Sequence, residues 1–195
     1  RWLAEHPVHL KALELGSINL SGNSLGDETC LRHIECKLKE FAIPPEKICF
    51  EITETEAISN LAKAQGFIRR LKDHGCNFAL DDFGSGFSSY AYLKNLPVDF
   101  LKIDGMFVKD IHSDAANYAM VESINHIGHV MGRKTIAEFV ENPETLQTLN
   151  TLGIDYMQGF GIAKPSALAN LEIQVEPEIR LRPDLSTQQT RSSSH

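Results

Sequence analysis

The feature that most constrains the fold is a rhythm of short β-like runs, each ending in a polar side chain and each followed by a helical pattern. The runs are SINLS (17–21), ICFEIT (48–53), NFALD (77–81), DFLKID (99–104), KTIAE (134–138) and IDYMQ (154–158). Amphipathic helical periodicity covers 27–42, 57–74, 114–132 and 142–151, with a shorter stretch near 86–95. Alternation of this kind predicts an α/β fold, a parallel sheet covered by helices. The units share no internal sequence repeat, which argues against a solenoid.

Within the runs, the polar positions follow a pattern. Side chains alternate across a strand, so ICFEIT places Ile48, Phe50 and Ile52 on one face and Cys49, Glu51 and Thr53 on the other. DFLKID sets Leu101 and Ile103 against Phe100, Lys102 and Asp104, and SINLS sets Ile18 and Leu20 against Asn19. Asp81 and Asp82 close the third run, Glu138 the fifth and Gln158 the sixth. In a parallel sheet these groups converge on the rim at the C-terminal strand ends, where α/β folds place their active sites.

Five carboxylates, Glu51, Asp81, Asp82, Asp104 and Glu138, would then face the one amine of Lys102. Like charges this close must be protonated or neutralised by cations. Oxygen ligands without Cys or His favour Mg²⁺ or Mn²⁺ over zinc, and two such ions suit phosphoester hydrolysis. Without the DDFG run, Lys102 would read evenly as a salt-bridge partner of Asp104 or Asp99 and as a catalytic group. Glu141 reads equally as the start of the next helix, where a carboxylate favours the helix dipole. His126 and His129 sit on a predicted helix without further ligands and are assigned to surface or packing roles.

Composition sets the outer bounds. With 195 residues, 42% hydrophobic and 23% charged, the chain is globular with one sizeable core; Phe67, Leu71, Met120 and Ile124 are assigned to that core. No apolar run is long enough to span a bilayer, and RWLAEHPVHL lacks the layout of a secretory signal, so the expectation is a cytoplasmic segment without membrane contact. A net charge of −7 argues against DNA as a partner. The cysteines at 30, 36, 49 and 76 form no CxxC pair and are read as buried reduced thiols. From about Glu172 the apolar pattern fades into a polar tail, giving a folded domain over 1–171 and a tail over 172–195.

The motifs NLS (19–21), FEITET (50–55), DDFGSGFSSY (81–90), LPVDFLKIDG (96–105), IAEFVE (136–141) and QGFGIAKP (158–165) resemble, in order, those of the EAL-domain cyclic-di-GMP phosphodiesterases. The resemblance spans roughly residues 15 to 168. It implies a TIM-like (β/α)₈ barrel that linearises cyclic di-GMP to pGpG with two Mg²⁺ or Mn²⁺ ions. By motif position, Asn19, Glu51, Asp81, Asp82, Asp104 and Glu138 would hold metal, and Lys102, Glu138 and Asp82 would be catalytic. Gln158 and Pro165 would bind substrate, while Glu54 and Glu141 would brace loops. GSGFSSY would be the flexible loop that links the metal site to dimer contacts. The resemblance further implies a homodimer and an attached sensory or GGDEF domain in a longer chain.

The Glu-Ala-Leu signature that names this family does not occur among the 195 residues. Six β-runs are found where the barrel needs eight, so an incomplete barrel lacking its first strands is expected, without one metal-holding Glu and a neighbouring phosphate-binding Arg. That omission leaves a second functional reading, a catalytically silent cyclic-di-GMP receptor or protein-interaction module. A barrel of the enolase type, which also gathers carboxylates and a Lys at strand ends, ranks far behind, because FEITET and QGFGIAKP do not support it.

Overall fold

The computed structural model describes residues 1–85 and 90–171. Short helices α1 (Trp2–Glu5) and α2 (Pro7–Ala12) lead into β1 (Gly16–Asn19), followed by α3 (Glu28–Phe41) and β2 (Ile48–Thr53). Two helices, α4 (Glu54–Ser59) and α5 (Leu61–Asp73), then precede β3 (Asn77–Phe83), and α6 (Tyr90–Leu93) precedes β4 (Phe100–Ile103). The chain continues through α7 (Gly105–Val108) and α8 (Ala115–Val130) to β5 (Lys134–Ala137), and through α9 (Pro143–Leu152) to β6 (Tyr156–Met157). All six strands of the described residues are parallel and pair in sequence order, forming the curled half of a TIM-like barrel with β1 and β6 at its edges. The polar tail at 172–195 and the centre of the GSGFSSY loop, 86–89, lie outside the described residues.

Alternation along the strands divides the apolar residues into two clusters. Phe50, Ile52, Phe78, Leu80, Leu101 and Ile103 point outward and pack with Leu31 of α3, Phe67, Ile68 and Leu71 of α5, and Val121 and Ile124 of α8. Cys49, Ala79 and Phe100 point to the concave side, joined by Leu15, Ile136 and Tyr156. The concave cluster forms an apolar floor under the strand ends that carry the charges, with Leu15, Ile136 and Tyr156 only partly buried.

Local chemistry fixes the helix starts. Asp27 caps α3 by accepting from Thr29 N, Asp114 caps α8 by accepting from Ala116 N and Asn117 N, and Asn142 with Pro143 begins α9. Thr53, the last residue of β2, caps α4 in a capping box with Glu56.

Two core assignments from the sequence are corrected. Met120 is 44% exposed, because the buried face of α8 runs through Val121, Ile124, Asn125 and Gly128, one position off. The thiols are all free, but only Cys49 and Cys76 are buried; Cys36 is exposed and Cys30 half-buried, since α3 turns Leu31 inward and these two away.

Candidate active site

Period-2 alternation would send Asp81 and Asp82 to opposite faces of β3. A bulge prevents this. Leu80 pairs with Leu101 and Phe83 with Ile103, so β3 carries one more residue than β4 between these pairings. Asp82 occupies the left-handed region at φ 54°, which brings its carboxylate to the same rim as that of Asp81 and returns Phe83 to the outward core. Oxygens of Asp81, Asp82 and Glu138 lie within 4.8 Å of one another.

Lys102 stands at the centre of the rim. Its Nζ lies 2.8 Å from Glu51 Oε2, 2.8 Å from Asp81 Oδ1 and 2.9 Å from Glu138 Oε1, and its side chain is only 4% exposed. Burial works against the ammonium, but the hydrogen bonds to Asp81, Glu51 and Glu138 together outweigh it and raise the Lys102 pKa. These partners decide between the readings of Lys102 as a salt-bridge residue: Asp99 is taken by Lys72 and by Phe78 N at 2.9 Å, and Asp104 accepts from Met106 N at 2.8 Å as the cap of α7.

One ammonium does not balance the acids around it. Burial pushes the Glu138 carboxyl up, only partly offset by Lys102, and burial with the charges of Asp81 and Asp104 pushes Asp82 up. Gln158 donates from Nε2 to Glu138 Oε1 at 2.7 Å, which orients that carboxylate. The donors are hard oxygens in close mutual reach, a set that fits a divalent cation of the Mg²⁺ or Mn²⁺ type.

The other sequence candidates are spread around this centre. Asn19 ends the exposed edge strand in register with Glu51, hence on the same face. Asp104 is close enough to Asp82 to raise its pKa. Glu54 is buried; its Oε2 accepts from Gly84 N at 3.1 Å and its Oε1 accepts from the Tyr92 hydroxyl, so it ties together both flanks of the loop after the Asp pair. Glu141 precedes the cap of α9 and is exposed. With Gln158 and Pro165 it lines a cavity of about 300 Å³, walled by Phe139 and Phe160. His126 and His129 are exposed, and His129 meets Asp155 at 2.8 Å.

Phe139, Phe160, Tyr92 and Glu56 were missed by sequence reasoning. Phe139 sits at φ 54°, a strained position for a bulky residue. Gly105 makes room for it, since a Cβ there would lie 2.1 Å from Phe139 Cδ2. Likewise Gly159 lets the β6 loop pass Val140, whose N would be 2.3 Å from an added Cβ. The bulge did have a signal: Leu80 and Phe83 are both apolar but an odd number of residues apart, which no regular strand can bury on one face.

Parallel strands whose acids meet one buried lysine at the C-terminal rim define a class, the TIM-like α/β barrels with an acidic cluster at the barrel mouth. Comparison with known proteins narrows it: the sequence model of the EAL domain matches residues 1–165, and the chain belongs to the EAL-domain family. It is 51% identical over 166 residues to the cyclic di-GMP phosphodiesterase PdeB of Shewanella oneidensis, an alignment that covers 85% of this chain and 19% of PdeB. It is 37% identical over 183 residues to the cyclic di-GMP phosphodiesterase PdeF of Escherichia coli, covering 90% of this chain and 24% of PdeF. The chain thus spans about a fifth to a quarter of the length of these relatives. Among solved structures, the FimX EAL domain of Xanthomonas citri in complex with c-di-GMP superposes with a TM-score of 0.80 at 27% identity, covering 89% of this chain and 68% of that one. The PaMucR phosphodiesterase in its c-di-GMP complex gives 0.77 at 27% identity, covering 86% and 71%.

Proposed function

We propose that this chain carries the active site of a metal-dependent phosphodiesterase that hydrolyses cyclic di-GMP to linear pGpG. One observation carries the reading: Lys102 is held by Glu51, Asp81 and Glu138, with Asp82 brought to the same rim by a strained bulge. Structural pairing alone gives no reason to crowd so many acids around one amine, whereas a site built for cations and a phosphate does. Relatives named as cyclic di-GMP phosphodiesterases and structures solved with c-di-GMP supply the substrate.

In this reading Asp81, Asp82 and Glu138, with Asn19, Glu51 and Asp104 around them, hold two Mg²⁺ or Mn²⁺ ions. Ions held by these residues would supply Lewis acidity, toward a water and toward the phosphoryl oxygens. Water attacks one phosphodiester phosphorus and gives up a proton, the bond to the 3′ oxygen breaks, that oxygen takes up a proton from solvent, and a linear dinucleotide with a 5′ phosphate and a 3′ hydroxyl leaves. Lys102, dry and permanently charged, faces the oxygens on which negative charge develops. Glu138 and Asp82, at the same rim as Lys102, are the carboxylates placed to accept the proton given up by the water. Gln158 keeps Glu138 in its orientation, and Pro165 with Gln158 lines the substrate cavity.

The proposal extends to the setting. The domain comprises residues 1–171, Glu54 and Glu141 brace the loops beside the site, and the protein acts in the cytoplasm as a homodimer with a sensory or GGDEF domain attached. No helix among the described residues is long and apolar enough to cross a membrane. The test is incubation of the protein containing this chain with cyclic di-GMP and Mn²⁺, with the products separated by chromatography. Appearance of pGpG that is lost in Asp81→Asn supports the reading. Tight binding without turnover contradicts it in favour of a receptor.

A further inference from the structure

We propose that Glu56 is a positioning residue for the end of β1, setting Asn19 toward the acidic rim. The inference rests on the metal-site reading above. β1 is the edge of the sheet, four residues long, with Ser17, Ile18 and Asn19 all exposed. It is paired only with β2, yet it delivers Asn19 to the face that carries Glu51. Something beyond the ladder must hold the turn that follows.

Two hydrogen bonds do so. Leu20 N donates to Glu51 O at 2.8 Å, and Gly22 N, at the start of the turn Gly22–Ser24, donates to Glu56 Oε1 at 2.5 Å. The second is a charge-assisted bond from a backbone amide to a carboxylate, among the stronger kinds. Glu56 is itself held, because its Oε2 accepts from Thr53 Oγ1 at 3.0 Å and its backbone N donates to Thr53 Oγ1 at 3.3 Å. The approach to Gly22 is close: a Cβ at Gly22 would lie 3.0 Å from Glu56 Cγ and 3.2 Å from its Oε1.

The arrangement has a counterpart on the other side of β2. Glu54 and Glu56 are two residues apart on the first turn of α4, about 200° around the helix, so they reach in different directions. Glu54 grips the loop after β3 through Gly84 N and Tyr92, and Glu56 grips the loop after β1 through Gly22 N. Both are referred to the end of β2, where Glu51 stands. An ordinary capping box requires only that the Glu return to its own cap residue. Here the same carboxylate also binds a neighbouring strand loop, 34 residues earlier in the chain.

The test is a Mn²⁺ titration of the protein with no nucleotide present, read by calorimetry, for wild type, Glu56→Ala, Asn19→Ala and the double variant, with Tm measured in parallel. Loss of a partner that orients a metal ligand costs about tenfold in metal affinity or more, so Glu56→Ala is expected to weaken Mn²⁺ binding about tenfold. Because it acts through Asn19, the double variant is expected to bind no more weakly than Asn19→Ala alone. Glu56→Gln, which keeps an acceptor for Gly22 N, is expected to recover most of the affinity. Should Glu56→Ala fail to fold, Gly22→Ala, which pushes the turn off the carboxylate, is expected to weaken binding to the same degree. A lower Tm with unchanged Mn²⁺ affinity overturns the inference, as do additive losses in the double variant. A wild-type protein that takes up no Mn²⁺ overturns the metal-site reading itself, and it shows this before any variant is compared.

Discussion

At the N-terminal ends of the strands Asp99 and Asp155 are each met by several donors, while at the C-terminal ends Glu51, Asp81 and Glu138 share a single ammonium. Asp155 Oδ2 accepts from Thr135 N at 2.8 Å, from Thr135 Oγ1 at 3.2 Å and from His129 Nε2 at 2.8 Å. Asp99 is bonded by Lys72 and Phe78 N, and nearby the Arg133 guanidinium is anchored to the carbonyls of Leu93 and Leu96 at 2.7 Å each. The pKa directions diverge accordingly. Although burial opposes it, the bonds from Thr135 and His129 hold Asp155 below the ordinary carboxylate range, whereas Asp82 and Glu138 are pushed above it. The carboxylates at the N-terminal strand ends are matched with donors, whereas those at the C-terminal rim outnumber theirs.

Replacing Lys102 breaks that contrast most severely. Lys102→Met leaves Glu51, Asp81 and Glu138 facing one another in a buried site, and loss of one partner from such a network costs about 3–5 kcal/mol. Chemical denaturation in EDTA should show that loss, and Mn²⁺ should restore part of it. A loss under about 1 kcal/mol would mean that the acids are not in fact crowded.

Asp81→Asn should reduce kcat/KM for cyclic di-GMP at least about a hundredfold while leaving Tm in EDTA unchanged or higher. At the opposite rim, Asp155→Ala should show the reverse. It removes the acceptor of three hydrogen bonds, costs about 1–3 kcal/mol of stability, and leaves Mn²⁺ affinity unaltered. If Asp155→Ala weakened Mn²⁺ binding as Asp81→Asn does, the division of the two rims would fail.

The smallest effect expected is in the pH profile. A carboxylate with a depressed folded pKa, as in Asp155, contributes stability above its unfolded value of about 4 that is lost as pH falls through the folded value. Groups pushed up, as in Glu138 and Asp82, bind protons more tightly in the fold, so stability is gained as pH falls through their raised values. Tm in EDTA should therefore rise as pH is lowered from neutrality toward the ordinary carboxylate range and fall below about 4. In Asp82→Asn the rise should shrink and the neutral-pH Tm should increase slightly. A Tm that falls monotonically from neutrality would show that the C-terminal rim carries no charge excess.

Much of this contrast was legible in the sequence because strands alternate. The parity of ICFEIT and DFLKID placed Glu51 and Lys102 on one face, and Lys102 Nζ does meet Glu51. Parity could not place Asp82, whose position depends on a bulge and a left-handed backbone, a local exception to the rule used. Nor could it assign partners: Asp99 and Asp104 flank Lys102 closely in sequence, yet Asp99 is bonded by Lys72 of α5 and Asp104 caps α7. Helix faces were readable to within a residue, which sufficed for Phe67, Leu71 and Ile124 and failed for Met120. The role of Glu56 was hidden because a capping box accounts for Thr53 and Glu56 without reference to any other loop.

The account depends on the acids of the C-terminal rim being there to hold cations. Anomalous diffraction at the manganese edge from crystals of the protein grown with Mn²⁺ tests this most directly. The account predicts a strong peak bounded by carboxylate oxygens of Asp81, Asp82 and Glu138. A map with no manganese at that rim, the three carboxylates still gathered around Lys102, would contradict it.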